Sequence, residues 1–224
     1  RYMSGGQIEK MPAVVRTAIG GGTRSGPHHS YSLHHLFAGF PGLKVVIPST
    51  PYDAKGLLKT AIRDDNPVMF LEQKTLYRTK GMVPEGEYSI PLGQADIKLA
   101  GSDCTVVTYG RMVNTCLTAA QELEKDGVRL EVIDIRSLVP LDTQTILESV
   151  KKTKHVLIVH EAVQFCGFGA EIAGQIADSD AFYYLDAPIK RLGAKSTPIP
   201  FNPILEAETF PTVPKIVAAV KSLL

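Results

Sequence analysis

The sequence predicts an α/β protein of two domains, in which mostly parallel sheets are flanked by helices. Short apolar runs alternate along the chain with segments whose apolar residues recur at helical spacing. This alternation is typical of strands that are joined by helical crossovers. A long irregular stretch near the middle of the chain separates a first series of such elements from a second series.

The first series begins with a strand over 12–19 that ends in three consecutive glycines. A helix is predicted over 30–38, and a second strand over 43–49. Four of the six histidines fall within 28–35, in the loop after the first strand and in the predicted helix. This loop joins a strand end to a helix start, where α/β proteins commonly bind ligands.

The next helix has the clearest boundaries. Thr50 can cap its N-terminus, Pro51 suits the first turn, and Asp53 completes an acidic cap. The helix is expected to end in the DDNP segment, because the residue before a proline avoids the α region. A third buried strand follows over 67–73.

The stretch 78–94 mixes charge, Gly and Pro without any period, which indicates a long connection. We place the domain boundary within it or just after it, near 90–100. The two predicted domains are then 1–95 and 96–224.

The second series has the same alternation. Val113, Leu117, Ala120 and Leu123 mark its first helix. The predicted strands are 104–110, 128–135, 155–162 and 189–194, and helices are expected to begin near 113, 141, 170 and 214.

Composition excludes several classes of protein. Of the 224 residues, 44% are hydrophobic and 21% are charged, which is usual for a folded globular chain. The net charge of +1 gives no overall field that would attract nucleic acid or an anionic membrane. No apolar run approaches the roughly 20 residues of a membrane span. We therefore expect neither nucleic acid nor a membrane among the partners.

The three cysteines, Cys104, Cys116 and Cys166, are odd in number and widely spaced, with no C-x-x-C pair. This pattern indicates neither a disulfide framework nor a zinc site. We expect three buried or half-buried thiols in a reducing compartment.

The segment GGGTRSGPHHSYSLHH, over 20–35, is where chemistry is most strongly indicated. Its glycines let the backbone turn sharply or approach a ligand, and its histidines titrate near neutral pH. Within the predicted helix, His34 and His35 are expected to have surface or packing roles. A zinc site is disfavoured, because neighbouring histidines diverge on a helix and no acid lies nearby in sequence.

A dinucleotide site is also disfavoured. The only related pattern, Gly167-x-Gly169, has Ile172 where the third glycine would stand. Spacing alone thus predicts an α/β protein with a Gly-rich, His-bearing loop at a ligand crevice.

Longer segments carry a resemblance over essentially the whole chain. They are RYMSGGQ, VVRT with the Gly-rich loop, HHSYSLHHLFAGFPGLKVVIPSTPYDAKGLLKTAIRDDNPVMFLE, IPLGQAD, VIDIRSLVPLD, HEA, GFGAEIA and LDAP. In these the chain resembles the beta subunit of thiamine-diphosphate-dependent 2-oxo acid dehydrogenases, the pyruvate, branched-chain and acetoin enzymes. The resemblance implies part of a pyrimidine-binding domain over 1–95 and a transketolase C-terminal-like domain over 96–224.

The resemblance also implies a cofactor and partners. Thiamine diphosphate would be shared with an alpha subunit that holds its magnesium, in an alpha-two, beta-two heterotetramer with a beta–beta contact. The activity implied is oxidative decarboxylation of a 2-oxo acid, with pyruvate favoured, and acyl transfer to a lipoyl group. The C-terminal domain would support assembly and help to dock the lipoyl acyltransferase core.

His29 matches the family's active-site histidine, in HSY where relatives often have HSQ. In such enzymes the cofactor is the electron sink, and a nearby histidine can stabilise charge on oxygen or pass a proton. The resemblance therefore implies that His29 is catalytic and contacts the cofactor, with His28 behind it.

A structural potassium ion is also implied, held mainly by backbone carbonyls. The matching positions are Ala13, Ala61, Ile62, Asp64 and Asn66. Carbonyls at a helix C-terminus carry the negative end of the helix dipole, which suits a cation. A simple helix stop at DDNP explains the same residues equally well.

One departure from the family concerns activity. The glutamate that contacts the cofactor's aminopyrimidine ring lies upstream of the matching region, so we expect it to be absent and this chain alone to be inactive. The start at Arg1, without an initiator methionine, is consistent with a fragment. The resemblance places the protein in a bacterial cytoplasm, or otherwise in a mitochondrial matrix or plastid.

Two further readings stay open. A transketolase or deoxyxylulose-phosphate synthase fragment would share the domain order and a histidine in a similar loop. A non-catalytic assembly or docking module would use the C-terminal domain without chemistry. In that domain only Glu161, in HEA, attracts notice, and we expect it to be a solvated or paired acid, although it stands where it could reach an interface.

Overall fold

The computed structural model describes residues 3–224. Arg1 and Tyr2, which open the RYMSGGQ segment, lie outside the described residues. Within the described part, no helix combines the length and apolar character that crossing a bilayer requires. The described chain forms two sheets with helices packed against them.

The first part of the chain supplies short helices and three strands of the first sheet. The elements up to residue 99 are β1 (Val14–Ile19), α1 (Gly26–His29), α2 (His34–Ala38), β2 (Lys44–Val46), α3 (Pro51–Arg63), β3 (Val68–Gln73), a 3-10 helix at Lys74–Arg78, and β4 (Asp96–Leu99).

The remainder of the chain is a regular alternation. Its elements are β5 (Cys104–Thr108), α4 (Met112–Glu124), β6 (Leu130–Asp134), β7 (Ser137–Val139), α5 (Thr143–Thr153), β8 (Val156–Val163), α6 (Gly169–Ala177), a 3-10 helix at Asp180–Tyr184, β9 (Lys190–Ala194), α7 (Pro203–Thr209) and α8 (Val213–Lys221).

The strand order is β1-β3-β2-β7 in the first sheet and β4-β6-β5-β8-β9 in the second. All pairs are parallel except β2 with β7 and β4 with β6. The predicted α/β class with mostly parallel sheets is confirmed. The irregular stretch 78–94 also contains no helix or strand beyond the end of the 3-10 helix.

β7 links the two sheets, although it lies well beyond the predicted domain boundary. It runs antiparallel to β2, with Val45 opposite Val139, and Ile47 N donates to the carbonyl of Arg136 at 2.8 Å. Three residues are too few to show a period, so no sequence pattern identifies this strand. The division at residue 95 stays a prediction, and β7 shows that the first sheet draws on both sides of it.

The second sheet is buried on both faces, which explains its nearly continuous apolar strands. On one face Val106 and Leu157 pack with α4 and α8. On the other face Val107 and Ile158 pack with α5 and α6.

The helix predicted over 30–38 is wrong in its first half. α2 begins only at His34, and α1 precedes it within the Gly-rich segment. Two tertiary contacts hold the intervening residues out of a helix: Gly20 N donates to Tyr31 O at 3.1 Å, and Ser32 Oγ bonds Glu161 at 3.3 Å.

Four other elements do not appear among the predicted ones: β4, α7 and the two 3-10 helices. For α7 the signals exist, because Asn202 caps the N-terminus by accepting from Ile204 N and Pro203 occupies the first turn. β4 is a short edge strand with alternating burial, next to the irregular stretch. Because β4 adjoins the irregular stretch, the sequence pattern did not predict it as a strand.

The prediction for the cysteines holds for two of the three. Cys104 and Cys116 are buried free thiols, whereas Cys166 is exposed, so that part of the prediction was wrong. Cys166 lies in the turn after β8, where its φ is 53°.

A buried ionic cluster joins α3 to the second half of the chain. Asp53 is inaccessible and accepts hydrogen bonds from Thr50 Oγ1 at 2.6 Å, Lys98 Nζ at 3.1 Å and Arg136 Nη1 at 3.1 Å. Burial alone would raise the pKa of Asp53, but these donors outweigh it and hold that pKa below its ordinary value. The predicted cap of α3 thus also fastens the two sheets together.

Replacing Asp53 with Ala should lower the free energy of unfolding by about 3 kcal/mol, because it leaves the buried guanidinium of Arg136 without its carboxylate. Urea denaturation followed by circular dichroism measures this loss. The control is D65A, since Asp65 forms an exposed ion pair with Lys10 and its removal should cost less than about 1 kcal/mol. Equal losses in the two variants would contradict this role of Asp53.

Candidate functional site

The Gly-rich segment forms a closed loop at the carboxyl end of β1. The loop runs from Gly20 to Tyr31, and the bond from Gly20 N to Tyr31 O closes its base. Gly20 and Gly22 have φ of 92° and 87°, a conformation that disfavours any other residue. The glycines that the sequence places here are therefore required by the turn itself.

His28 and His29 occupy the exposed part of this loop, in the single turn of α1. Their ring centroids lie 6.3 Å apart and the rings are tilted by 49°. The ammonium of Lys74, at the start of the 3-10 helix, donates to the carbonyl of His29. The imidazole of His29 is thus accessible, while its backbone is held from the first sheet.

A cleft of about 800 Å³ adjoins the same loop. Gly22, Thr23 and Arg24 form one wall, and Lys74 and Arg78 lie on the other. Three of the eight residues that line the cleft, Arg24, Lys74 and Arg78, carry positive charge and none carries negative charge, which suits an anionic ligand.

Glu161, at the end of β8, holds the base of the loop. Its carboxylate accepts from Gly21 N at 2.6 Å, Ser32 Oγ at 3.3 Å and Gln73 Nε2 at 2.6 Å, and it also bonds Arg111 Nε. The residue is 2% exposed. The expectation of a paired acid is confirmed, while a solvated one is excluded by its burial.

Glu206, in α7, holds the next part of the loop. Its carboxylate accepts from Gly22 N at 2.8 Å and from Arg24 N at 3.2 Å, and the residue is 4% exposed. No periodicity or motif marks this residue. The only available signal was its place in a short capped helix.

Two aromatic rings pack against glycines of the loop. A Cβ on Gly21 would lie 2.4 Å from the Phe210 ring, and one on Gly26 would lie 2.3 Å from the Phe201 ring. The guanidinium of Arg111 covers the Phe210 ring at 4.7 Å from its centroid. Residues of the second half therefore fix a loop that belongs to the first half.

His34 and His160 form a buried cluster behind the loop. His34 Nε2 bonds the hydroxyl of Tyr109 at 2.7 Å, and the rings of Tyr109 and His160 are stacked with centroids 6.2 Å apart. The packing role expected for His34 is what the structure shows, with partners from the second sheet. His35 is half-buried beside it.

Burial keeps both imidazoles neutral. It lowers the pKa of His160 to about 4 and the pKa of His34 well below its ordinary value, and nearby cationic forms of other histidines lower the pKa of His34 further. Among the described residues His160 makes one hydrogen bond, in which Nδ1 donates to the Ala162 carbonyl at 3.0 Å, and Nε2 has no partner.

The protein should lose stability as the pH falls from about 6.5 towards 4. The unfolded chain binds protons at His34 and His160 in this range, whereas the folded chain does not, so folding weakens by about 1.4 kcal/mol per pH unit for each histidine. Urea denaturation at a series of pH values measures the slope. H160Q should flatten it and H28Q, at an exposed position, should not; an unchanged slope in H160Q would contradict this account.

The residues matched to the potassium site lie near the C-terminus of α3. Asp64 N donates to Ala61 O at 3.3 Å, and Asn66 N donates to Asp64 Oδ1 at 2.8 Å. Ala13 O accepts from Val68 N at 2.8 Å on the neighbouring strand. Ile62 is exposed in the last turn of the helix. Over the described residues, no group of three or more His, Cys, Asp or Glu is arranged to hold a metal ion.

Two family models match the chain. One is the pyrimidine binding domain of transketolase, over residues 1–80, and the other is the transketolase C-terminal domain, over residues 93–216. The chain is 50% identical, over all of its 224 residues, to the beta subunit of acetoin:2,6-dichlorophenolindophenol oxidoreductase from Bacillus subtilis (strain 168). It is 49% identical over 203 residues, 90% of its length, to the beta subunit of the pyruvate dehydrogenase E1 component from the same organism.

The chain belongs to the family that includes these two beta subunits. The resemblance of its sequence motifs to these beta subunits is thereby confirmed. The chain spans 65% of the acetoin relative and 62% of the pyruvate relative. Membership of the family implies dependence on thiamine diphosphate.

A solved structure shares the fold. It is a split-gene transketolase described as an inactive beta4 tetramer, with a TM-score of 0.80 and 23% identity, and the match covers 96% of this chain and 67% of that one. This likeness concerns the fold: the sheets and flanking helices described above follow that structure over 96% of this chain.

Proposed function

We propose that this chain is part of the beta subunit of a 2-oxo acid dehydrogenase. The reaction would be oxidative decarboxylation of a 2-oxo acid, pyruvate being favoured, and transfer of the acyl group to a lipoyl disulfide, which is reduced. The observation that carries the proposal is the exposed imidazole of His29 on a loop that both sheets hold. An enzyme of this kind is expected in a bacterial cytoplasm.

The loop also fits the cofactor implied by the family. Its accessible imidazoles and its glycine backbone allow close approach, and the adjoining cleft is positively charged. His29 would contact thiamine diphosphate, with His28 behind it, and the alpha subunit would hold the magnesium and most of the diphosphate. When bound, the cofactor supplies the electron sink for decarboxylation.

His29 would then move or hold a proton. Its imidazole can donate a hydrogen bond to oxygen as negative charge develops there. It can also return a proton during acyl transfer to the lipoyl group. Lys74 holds the His29 carbonyl and thereby limits movement of the residue.

The surface around the loop supports a partner subunit. Tyr31, Leu33, Leu36 and Phe40 follow the histidines closely, and each is more than a third exposed. Apolar side chains grouped in this way are typical of interfaces. We place the alpha subunit here, within an alpha-two, beta-two assembly that also has a beta–beta contact and docks on a lipoyl acyltransferase core.

A potassium ion would stabilise the end of α3. The carbonyls of Ala13 and Ala61 each accept one hydrogen bond and keep a second lone pair. Ile62, Asp64 and Asn66 would supply the remaining ligands, mainly through their carbonyls, and the bond from Asn66 N to Asp64 Oδ1 holds the last two together. Thus the donor chemistry fits a weakly hydrated cation.

Sequence identity favours this function over the alternatives. The relatives near 50% identity act in their names on acetoin or pyruvate, and the transketolase likeness is 23% identical and concerns the fold. Identities of 50% and 49% do not separate acetoin from pyruvate. Pyruvate, a branched-chain 2-oxo acid and acetoin should therefore be assayed in parallel.

Replacing His29 with Ala in the full-length beta subunit, assembled with its alpha partner, should lower kcat by about 10²–10⁴-fold, because a proton donor is removed. Turnover is measured by reduction of 2,6-dichlorophenolindophenol and by reductive acylation of lipoyl domains.

The matched control is H28A, with an expected loss below about tenfold because His28 is placed behind the reacting atoms. Size-exclusion chromatography shows whether assembly is intact. Wild-type turnover in H29A would refute the role of His29, and turnover of sugar phosphates would favour the transketolase reading. Assembly without any turnover by the wild-type complex would favour a docking module.

Exchange of potassium chloride for choline chloride at equal ionic strength should lower Tm by a few degrees, because an ion that binds only the folded state stabilises it. Differential scanning calorimetry of the assembled protein measures Tm. Sodium chloride serves as the control salt. Equal Tm values in all three salts would exclude the potassium site.

A further inference from the structure

We propose that Glu161 and Glu206 are positioning residues for His29, acting through the backbone of its loop. The inference rests on the function proposed above and adds two residues to that site. Neither carboxylate contacts the imidazole in this structure. Each instead accepts hydrogen bonds from the loop that carries it.

Glu161 holds both ends of the loop at once. One of its oxygens, Oε1, accepts from Gly21 N at 2.6 Å before the histidines and from Ser32 Oγ at 3.3 Å after them. This one oxygen therefore bonds the segments before and after the histidines. It lies next to the backbone bond from Gly20 N to Tyr31 O that closes the base of the loop. Because both segments are held at this oxygen, the position of α1 between them is restricted.

The other oxygen of Glu161 is fixed from outside the loop. Oε2 accepts from Gln73 Nε2 at 2.6 Å and from Arg111 Nε, and Gln73 in turn accepts from Arg111 N. These donors come from the end of β3 and from the start of α4. These bonds orient the carboxylate independently of its bonds to the loop.

Glu206 continues the same arrangement along the loop. Its two oxygens accept from Gly22 N and Arg24 N, so amides at positions 21, 22 and 24 all point at buried carboxylates. Bonds of this kind, with a charged acceptor, are stronger than neutral ones. Phe201 and Phe210 fill the space above Gly26 and Gly21, which blocks movement in that direction.

The position of the His29 imidazole matters more for the rate of the reaction than for the stability of the fold. A displacement of about 1 Å of a catalytic group can cost about 100-fold in rate, even when the fold is intact. Half of the loop, six of the twelve residues from Gly20 to Tyr31, is exposed and lies outside the core. Loss of a carboxylate should therefore lower turnover even where the fold is retained.

The test uses E161Q and E206Q in the full-length beta subunit, assembled with alpha. In E161Q the new amide nitrogen must face N–H or O–H donors on one side, which breaks the arrangement without changing its size. We expect kcat to fall by about 10–100-fold with KM for the 2-oxo acid within about twofold of wild type. E208Q is the control, because Glu208 lies two residues further along α7 and pairs with Lys215 at 3.3 Å; its kcat should be unchanged.

A double-mutant cycle links the effect to His29. If Glu161 acts by placing that imidazole, then E161Q combined with H29A should be no slower than H29A alone. If the two losses multiply instead, Glu161 acts on the protein in general and the proposal is overturned. The cycle is repeated with E206Q.

Hydrogen exchange provides a readout that does not depend on turnover. Mass spectrometry of the peptide spanning 20–32 should show faster amide exchange in E161Q and E206Q than in wild type and E208Q. Unchanged exchange in both variants would overturn the proposal, as would wild-type turnover in both. A wild-type complex without activity on any 2-oxo acid would instead refute the proposed function, and exchange would still decide whether the carboxylates hold the loop.

Discussion

The buried carboxylate of Glu161 is the interaction on which the arrangement of the site depends. Removing a charge from water costs several kcal/mol, and only a full set of donors offsets that cost. Here the donors come from four places: the Gly-rich loop, its far end, β3 and the start of α4. Satisfying this one charge therefore forces those four segments to meet at the end of β8.

This constraint divides the work between the two sheets. The first sheet provides β1 and the loop that displays His29, while the second sheet and α7 provide the acids that hold the loop. Assembly and docking, which the family resemblance assigns to the C-terminal domain, describe only part of its contribution. The second half of the chain also contributes backbone to the first sheet, because β7 completes that sheet.

The buried histidines behind the loop lie where the two sheets meet. Burying them there has an energetic cost. His34, Tyr109 and His160 fill space between the sheets, and one nitrogen of each imidazole has no hydrogen-bond partner among the described residues. Burial keeps the rings uncharged at neutral pH, so the junction is compact there and is weakened by acid. Asp53 adds a charged link to the junction through its bonds with Arg136 and Lys98.

The sequence by itself determined the fold class, most of the long helices and the buried strands. It also located the histidine loop, because apolar period, helix caps and glycine runs are local properties that residues carry with them. It did not reveal β7, which is too short to show a period, or the true start of α2, which depends on a bond between Gly20 and Tyr31. The partners of Glu161 and the role of Glu206 were decided by tertiary structure alone, since residues up to 184 positions apart meet there. Such contacts depend on how two sheets pack, and no local pattern in the chain encodes them.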